Sequence, residues 1–307
     1  MIVITGGSGF LGRRVAARLP DALALSSSDL DLTSPDAVRR AFHEWQPEIV
    51  IHLAARVGGI TANLQSPADF LVDNLQIDTS VLGALRLEPP KHLISMLSTC
   101  MYPDELSDLQ YPMTEDLIEA GPPPPTNASY AAAKRALWHG TIALHDQYGV
   151  PYTALIPANL YGPGDHFGTQ SSHFLAAAID KIERARVAQQ PRVSFFGTGR
   201  ALRQYVLVDD LADLIALIAT RPPLNRSINV APTESRSIKD LTDLVSRAAG
   251  YEGTISFTGS GPDGQLRKDV DSTLLTTLVP EWARIETDLE EGIAMTLDWY
   301  RDHVATG

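Results

Sequence analysis

The sequence predicts a parallel α/β fold: a Rossmann-type doubly wound parallel sheet with a smaller C-terminal substrate-binding α/β lobe. Three observations lead there. The apolar, β-branched start Met1-Ile2-Val3-Ile4-Thr5 runs straight into Gly6-Gly7-Ser8-Gly9-Phe10-Leu11-Gly12 and then into an amphipathic helix. Short apolar strand patterns alternate with helical ones as far as about residue 160. The 307 residues suffice for one large α/β domain and a smaller one.

Composition narrows the class. Hydrophobic residues make up 44% and charged residues 20%, ordinary for a globular protein. Net charge is −12, with no basic stripe, so no nucleic acid is expected as a partner. Cys100 is the only cysteine, which excludes an intrachain disulfide and a cysteine-based zinc site. Residue 1 leads directly into a strand pattern, and no apolar run is long enough to span a bilayer. No metal and no membrane are expected, and a cytoplasmic enzyme is the default.

The first strand ends in the glycine run. Its glycines allow a tight turn and close approach of backbone to a pyrophosphate resting on the helix N-terminus. Val15, Ala16 and Leu19 mark one side of that helix. Arg13 and Arg14 are candidate phosphate partners or solvated charges. Ala22–Leu25 reads as the second strand and ends in Ser26-Ser27-Ser28. A strand end that binds NAD carries a carboxylate for the ribose 2′-hydroxyl. Here three hydroxyls are expected to accept a 2′-phosphate instead. That favours NADP (NADPH), with NAD as the alternative. Asp31 and Leu32 are expected to bracket the adenine.

Pro35–Trp45 reads as a helix and Ile49–Leu53 as the third strand. The latter ends in His52-Leu53-Ala54-Ala55, with His52 read as structural. Arg56-Val57-Gly58-Gly59-Ile60 leaves the strand end, where a parallel sheet presents its ligand crevice. A long helix from Pro67 to about Leu87 is apolar on more than one side, as an oligomer helix would be. Leu93–Leu97 is the fourth strand and runs into Ser98-Thr99-Cys100-Met101-Tyr102-Pro103. Pro122 to Pro125 reads as a stiff loop.

Ser129-Tyr130-Ala131-Ala132-Ala133-Lys134 then opens a helix and sets a phenol and an amine four residues apart, on one face. An adjacent ammonium favours phenolate and would lower the pKa of Tyr130. Such a pair moves a proton at an oxygen whose carbon exchanges a hydride. Alone, the spacing is equally that of an ordinary amphipathic helix. Tyr152–Pro157 is the fifth strand, before Asn159-Leu160-Tyr161-Gly162-Pro163-Gly164. A helix over Ser171–Val187 carries His173 and Lys181. Short strands over Val193–Phe196 and Tyr205–Val208 follow, with helices over Asp209–Ala219, Ile238–Ala249 and Leu289–His303. The expected division is a dinucleotide domain of residues 1–160 plus 203–230, and a substrate domain of 161–202 and 231–307.

The glycine loop, Ser98 after the fourth strand, and Tyr130 with Lys134 together resemble the extended short-chain dehydrogenase/reductase family over nearly the whole chain. Arg56–Ile60, Ser98–Pro103, Asn159–Pro163 and Ser172-His173 narrow the likeness to its GDP-L-fucose synthase group. The resemblance implies a 3,5-epimerase and 4-reductase of a nucleotide-linked 4-keto-6-deoxyhexose. It makes Tyr130 the acid at the C4 oxygen, with Ser98 bonded to the same oxygen. Lys134 would tune Tyr130 and hold the nicotinamide ribose. Cys100 and His173 would be the acid–base pair for epimerisation. The cofactor would lie against Gly6, Ser8, Gly9, Phe10, Leu11, Gly12, Ser26, Asp31, Leu32, Leu53, Ala54, Ala55, Leu97, Tyr130, Lys134, Pro157, Asn159, Leu160 and His173. The substrate would meet Ser98, Thr99, Cys100, Asn159, Lys181, Arg203 and Lys268, the last three at its diphosphate or nucleotide. A homodimer through helices near 68–87 and 129–148 is implied as well.

The chain departs from that group where Ser8 and Ser26 stand in place of arginines at the 2′-phosphate. Three other readings share parts of the pattern. A redox-neutral 3,5-epimerase with bound NAD would use Cys100, and a 4-ketoreductase of an antibiotic deoxysugar pathway would use Tyr130 and Lys134. A non-catalytic cofactor sensor needs neither member of that pair. A 4,6-dehydratase would need Asp-Glu where Thr99-Cys100 stand.

Overall fold

The structure, a computed structural model, describes residues 1–168, 172–260 and 264–304. Its main sheet has six strands in the order Arg226–Val230, Tyr152–Pro157, His92–Met96, Ile49–His52, Ile2–Thr5, Leu23–Leu25. Every pairing in it is parallel, with Thr5 opposite both Leu25 and His52. From Ile2–Thr5 the chain goes to one side for its second strand and to the other for its third. The strand order therefore reverses at the first strand, and a crevice opens beyond the carboxyl ends there. His92–Met96 and Tyr152–Pro157 are buried along their whole length, as strands covered by helices on both faces must be.

Helices Phe10–Arg18 and Val208–Ala219 pack together, and Pro35–Trp45, Pro67–Leu87 and Ala128–Tyr148 pack in sequence. Pro67 stands in the first turn of its helix, where its missing N–H has no cost. Gly149, at φ 68°, ends Ala128–Tyr148 in the left-handed conformation that glycine adopts freely. Phe42, Ile51, Leu93 and Ile94 are fully buried between these layers. Truncating any of them to alanine should cost ~2–5 kcal/mol.

A second hydrophobic core contains Leu175, Ile179, Ile182, Val193, Leu241, Val245, Ile293 and Leu297. Tyr205 and Leu207 pack into this second core, whereas Val270, Leu275, Val279 and Trp282 pack into the first. Residues 231–307, expected in the substrate domain, thus contribute to both cores, and Tyr205 and Leu207, expected in the dinucleotide domain, pack into the second. Arg226–Val230 completes the main sheet, and Ile60–Gln65 is a short helix; neither was expected. The helix expected from Ser171 runs Phe174–Val187, and Ser171 itself lies outside the described residues. No helix among the described residues is long and apolar enough to cross a membrane.

Candidate active site

The glycine loop lies at the point where the strand order reverses. Gly6 has φ +71°, and a Cβ built there would stand 2.8 Å from the Ala54 amide nitrogen. A Cβ on Gly12 would stand 2.0 Å from the Gly6 carbonyl oxygen. No side chain fits at either place, so helix Phe10–Arg18 starts directly over the loop. Gly9 is its N-cap and supplies no side-chain bond, so the first N–H groups remain for an anion. Leu53 and Ala54 donate to the Thr5 carbonyl and hydroxyl and form the opposite lip. These residues fit a dinucleotide pyrophosphate. His52, bonded to Thr5 and Asp78 and 1% exposed, is structural as read.

The adenosine end differs from expectation. The sequence suggested no carboxylate at the end of the second strand. Asp29 turns back onto it: its Oδ2 accepts the Ser26 amide at 2.8 Å and the Ser26 hydroxyl at 2.6 Å. The cause is local, a Ser-x-x-Asp turn whose carboxylate takes up a strand-end N–H. Asp31 accepts two bonds from Thr33, and Leu32 packs partly into the core. Arg13 and Arg14 donate to the carbonyls of Gly164 and Pro163, neither to a phosphate loop nor simply to solvent.

Ser98, Cys100, Tyr130 and Lys134 come together at the carboxyl edge. Ser98 follows strand His92–Met96 and caps the turn Thr99–Met101, its Oγ accepting the Cys100 amide at 3.2 Å. Lys268 Nζ lies 3.2 Å from Cys100 Sγ. Burial alone would push the Cys100 thiol up. The Lys268 charge and hydrogen bonds from Ser98, Lys268 and Asn127 outweigh it, and the thiol is held below its ordinary value.

Tyr130 behaves differently from the expectation drawn from Lys134. Burial first, then the charges of Cys100 and Asp78, push its phenol well above the usual value, and Ser98 alone pulls it down by a hydrogen bond. Lys134 is 2% exposed and donates to the Met96 carbonyl at 3.2 Å. Helix geometry brought the two side chains to one face, but burial decides the phenol's state. The phenol is therefore protonated at neutral pH.

His173 is the N-cap of helix Phe174–Val187. It is solvent-exposed at its surface, yet surrounding protein, then Lys268, then His166 hold its imidazole below the ordinary value. Arg203 donates to the carbonyls of Leu202 and Gln265, both at 2.7 Å. Asn159 donates its amide to the Gln204 carbonyl, and Gln204 in turn holds both backbone groups of Val270. Gln265 reaches the Pro103 and Asp104 carbonyls, while Met113 pairs with Asp269 and Asp271. The loop bearing Lys268 is thereby stitched to the loop bearing Cys100.

Lys181 stands apart from this cluster. It lies two turns, roughly 12 Å, along the helix from His173. It donates to the Ser194 carbonyl at 2.5 Å and covers the Phe195 ring. Leu97 follows the end of strand His92–Met96, Pro157 ends its own strand, Leu160 lies mid-strand in Asn159–Tyr161 and packs partly on the first core, and Thr99 is buried. Ser8 is exposed on the glycine loop, and Ala55 is half-buried.

Sequence reasoning missed one participant, Asn127, and gave Lys268 no part beside Cys100. Asn127 donates to Cys100, and its buried Oδ1 has no partner among the described residues. Its one local signal was its place three residues before Tyr130. Lys268 was read as a diphosphate ligand; its contact with Cys100 spans a separation that leaves no local pattern.

Residues 2–231 match the profile of the "NAD dependent epimerase/dehydratase family". GDP-L-fucose synthase 1 of Arabidopsis thaliana is 34% identical over 99% of this chain and 94% of its own. GDP-L-colitose synthase of Yersinia pseudotuberculosis is 33% identical over 97% of each. A GDP-L-fucose synthetase from Naegleria fowleri bound to NADP superposes with a TM-score of 0.85 at 29% identity, covering 100% of this chain and 95% of that one.

Proposed function

The chain belongs to the NAD dependent epimerase/dehydratase family, on its GDP-L-fucose synthase-like branch, and we propose that it epimerises and then reduces a GDP-linked 4-keto-6-deoxyhexose. One observation carries the reading: Cys100 stands beside the Ser98 and Tyr130 hydroxyls with its thiol held down by Lys268. A carbonyl reductase needs only the hydroxyls. A base beside them suits a second task, proton removal from carbon.

The C4 ketone acidifies the protons on C3 and C5. Ser98 and Tyr130 donate to the C4 oxygen and stabilise the enolate that forms. Cys100, as thiolate, takes the proton, and the protonated fraction of His173, kept small by burial and Lys268, delivers one to the opposite face. Asn127 Oδ1 is an open buried acceptor for a sugar hydroxyl. NADPH, when bound, would supply the hydride for C4 in the reductive step. Tyr130 would give its proton to the oxygen, and Lys134 would hold the nicotinamide ribose. Gly6, Gly9, Leu11, Gly12 and Ala54 would hold the pyrophosphate, and Arg203 the diphosphate of the substrate. The division into a dinucleotide lobe and a substrate lobe, and a cytoplasmic location, belong to the same reading.

The test is product identification. The protein is incubated with NADPH and GDP-4-keto-6-deoxymannose, with a dTDP-4-keto sugar in parallel, and products are assigned by NMR. Oxidised cofactor and a 3,5-inverted GDP-6-deoxyhexose are expected. A redox-neutral outcome with the GDP sugar would overturn the reductase half.

A further inference from the structure

We infer that the adenosine end of the cleft does not select for a 2′-phosphate, so that NADH serves this chain at least as well as NADPH. The inference rests on the dinucleotide site proposed above and narrows its cofactor.

The end of the second strand, about twenty residues beyond the glycine loop, is where this fold reads the adenosine ribose. Here it reads Leu25-Ser26-Ser27-Ser28-Asp29. The Ser26 hydroxyl bonds Asp29 Oδ2 at 2.6 Å and the Ser28 hydroxyl at 2.7 Å. A hydroxyl has a single proton. Ser26 must give its proton to the carboxylate, which accepts only, so Ser28 must donate to Ser26. Both protons are then spent within the turn, and both oxygens are left as acceptors. A phosphate finds no donor in them.

The carboxylate itself stays ionised. The Ser26 hydroxyl and then the Ser26 amide hold Asp29 below its ordinary value, with no cation among the causes. Both bonds fall on Oδ2, leaving Oδ1 for a ribose 2′-hydroxyl. No ion pair among the described residues involves Asp29. The arginines after the glycine loop are engaged elsewhere: Arg13 with the Gly164 carbonyl, Arg14 with Pro163 and Asp209, Arg18 with Asp209 and Asp213. A 2′-phosphate would meet a fixed negative charge without a counter-ion, in a chain of net charge −12. Repulsion at such range in water weakens binding on the order of tenfold. A 2′-hydroxyl would instead donate to a carboxylate, and all other contacts are common to both cofactors.

Isothermal titration of the purified protein with NAD and NADP, without any sugar, reads this directly. The Kd for NAD is expected to fall below, or within threefold of, that for NADP; NADP binding more than threefold tighter overturns the inference. Ser26→Arg supplies the missing cation. It should tighten NADP at least tenfold, in a salt-dependent way. If it leaves NADP unchanged, this strand end is not the ribose subsite and the inference falls. Asp29→Asn keeps the turn's shape and should tighten NADP while weakening NAD. Binding of neither dinucleotide sinks both this inference and the proposed function. Binding as expected without turnover of any 4-keto sugar sinks the proposed function alone.

Discussion

Lys268 Nζ stands 3.2 Å from Cys100 Sγ, an ammonium against a thiol brought together across 168 residues. The same charge acts on two groups with one sign. It favours the Cys100 thiolate, and it disfavours the His173 imidazolium. In the proposed epimerisation Lys268 would therefore help Cys100 as the base and hold back His173 as the acid.

The pH profile tests that coupling. In the proposed role Cys100 works as thiolate, so C–H exchange is expected to rise with pH through the thiol's folded pKa, which lies below its ordinary value. Lys268→Met removes the charge but leaves the burial, so the rising limb should move to higher pH. At neutral pH the rate should fall by roughly tenfold per unit of that move. Lys268→Arg should restore the limb. Solvent-deuterium uptake measured against pH is the check. A Lys268→Met variant with a weaker KM and an unmoved profile would make Lys268 a substrate ligand only.

Tyr130→Phe should lose reduction by on the order of 10²–10⁴, since the C4 oxygen loses its proton donor. In the parent, the phenol is held protonated, so single-turnover reduction should be flat from neutral pH up to at least the ordinary phenol range, ~10. Stopped-flow decay of the reduced nicotinamide reads both. A rate that falls away with a midpoint near pH 7 would show that another group supplies the proton.

Gly12→Ala places a Cβ 2.0 Å from the Gly6 carbonyl oxygen, and backbone on both sides cannot yield cheaply. Loss of ~1–3 kcal/mol of stability is expected, together with a large fall in dinucleotide affinity. Thermal melts with and without dinucleotide separate the two. Unchanged affinity would mean the pyrophosphate does not rest on this loop.

Helices Pro67–Leu87 and Ala128–Tyr148 pack against each other and still leave apolar groups such as Val72 exposed, at 47%, and Leu75, Trp138 and Ile142 half-exposed. A homodimer joined there as a four-helix bundle is the proposal. Sedimentation velocity at micromolar concentration should give twice the 33.3 kDa chain mass. A monomer would remove it.

Much of this was readable in one dimension, for definite reasons. Pro35–Trp45, Pro67–Leu87, Ile238–Ala249 and Leu289–His303 fall where apolar spacing and their first-turn signals place them: Pro at the start of two, a Ser237–Asp240 capping box, and Asp288 as N-cap. Arg226–Val230 was missed because Arg226 and Ser227 break its apolar run. The short helix Ile60–Gln65 was too brief between Gly59 and Pro67 to show a period. At the site, Ser98, Tyr130 and Lys134 carry local spacing, while the Lys268–Cys100 contact has no local signature. Asp29 was legible, since a serine followed three residues later by a carboxylate is a capping pattern.

Cys100 is the proposed carbon base, and Cys100→Ser in D₂O reads that role. A serine hydroxyl beside Lys268 keeps the size and the hydrogen bonds but does not ionise near neutral pH. NMR of the product is expected to show deuterium at C3 and C5 from the parent enzyme. The variant should show none at either carbon, while slow reduction of the unepimerised ketone continues through Tyr130. Deuterium entering C3 and C5 as fast in Cys100→Ser as in the parent would make Cys100 a packing residue and contradict the epimerase half of the proposed function.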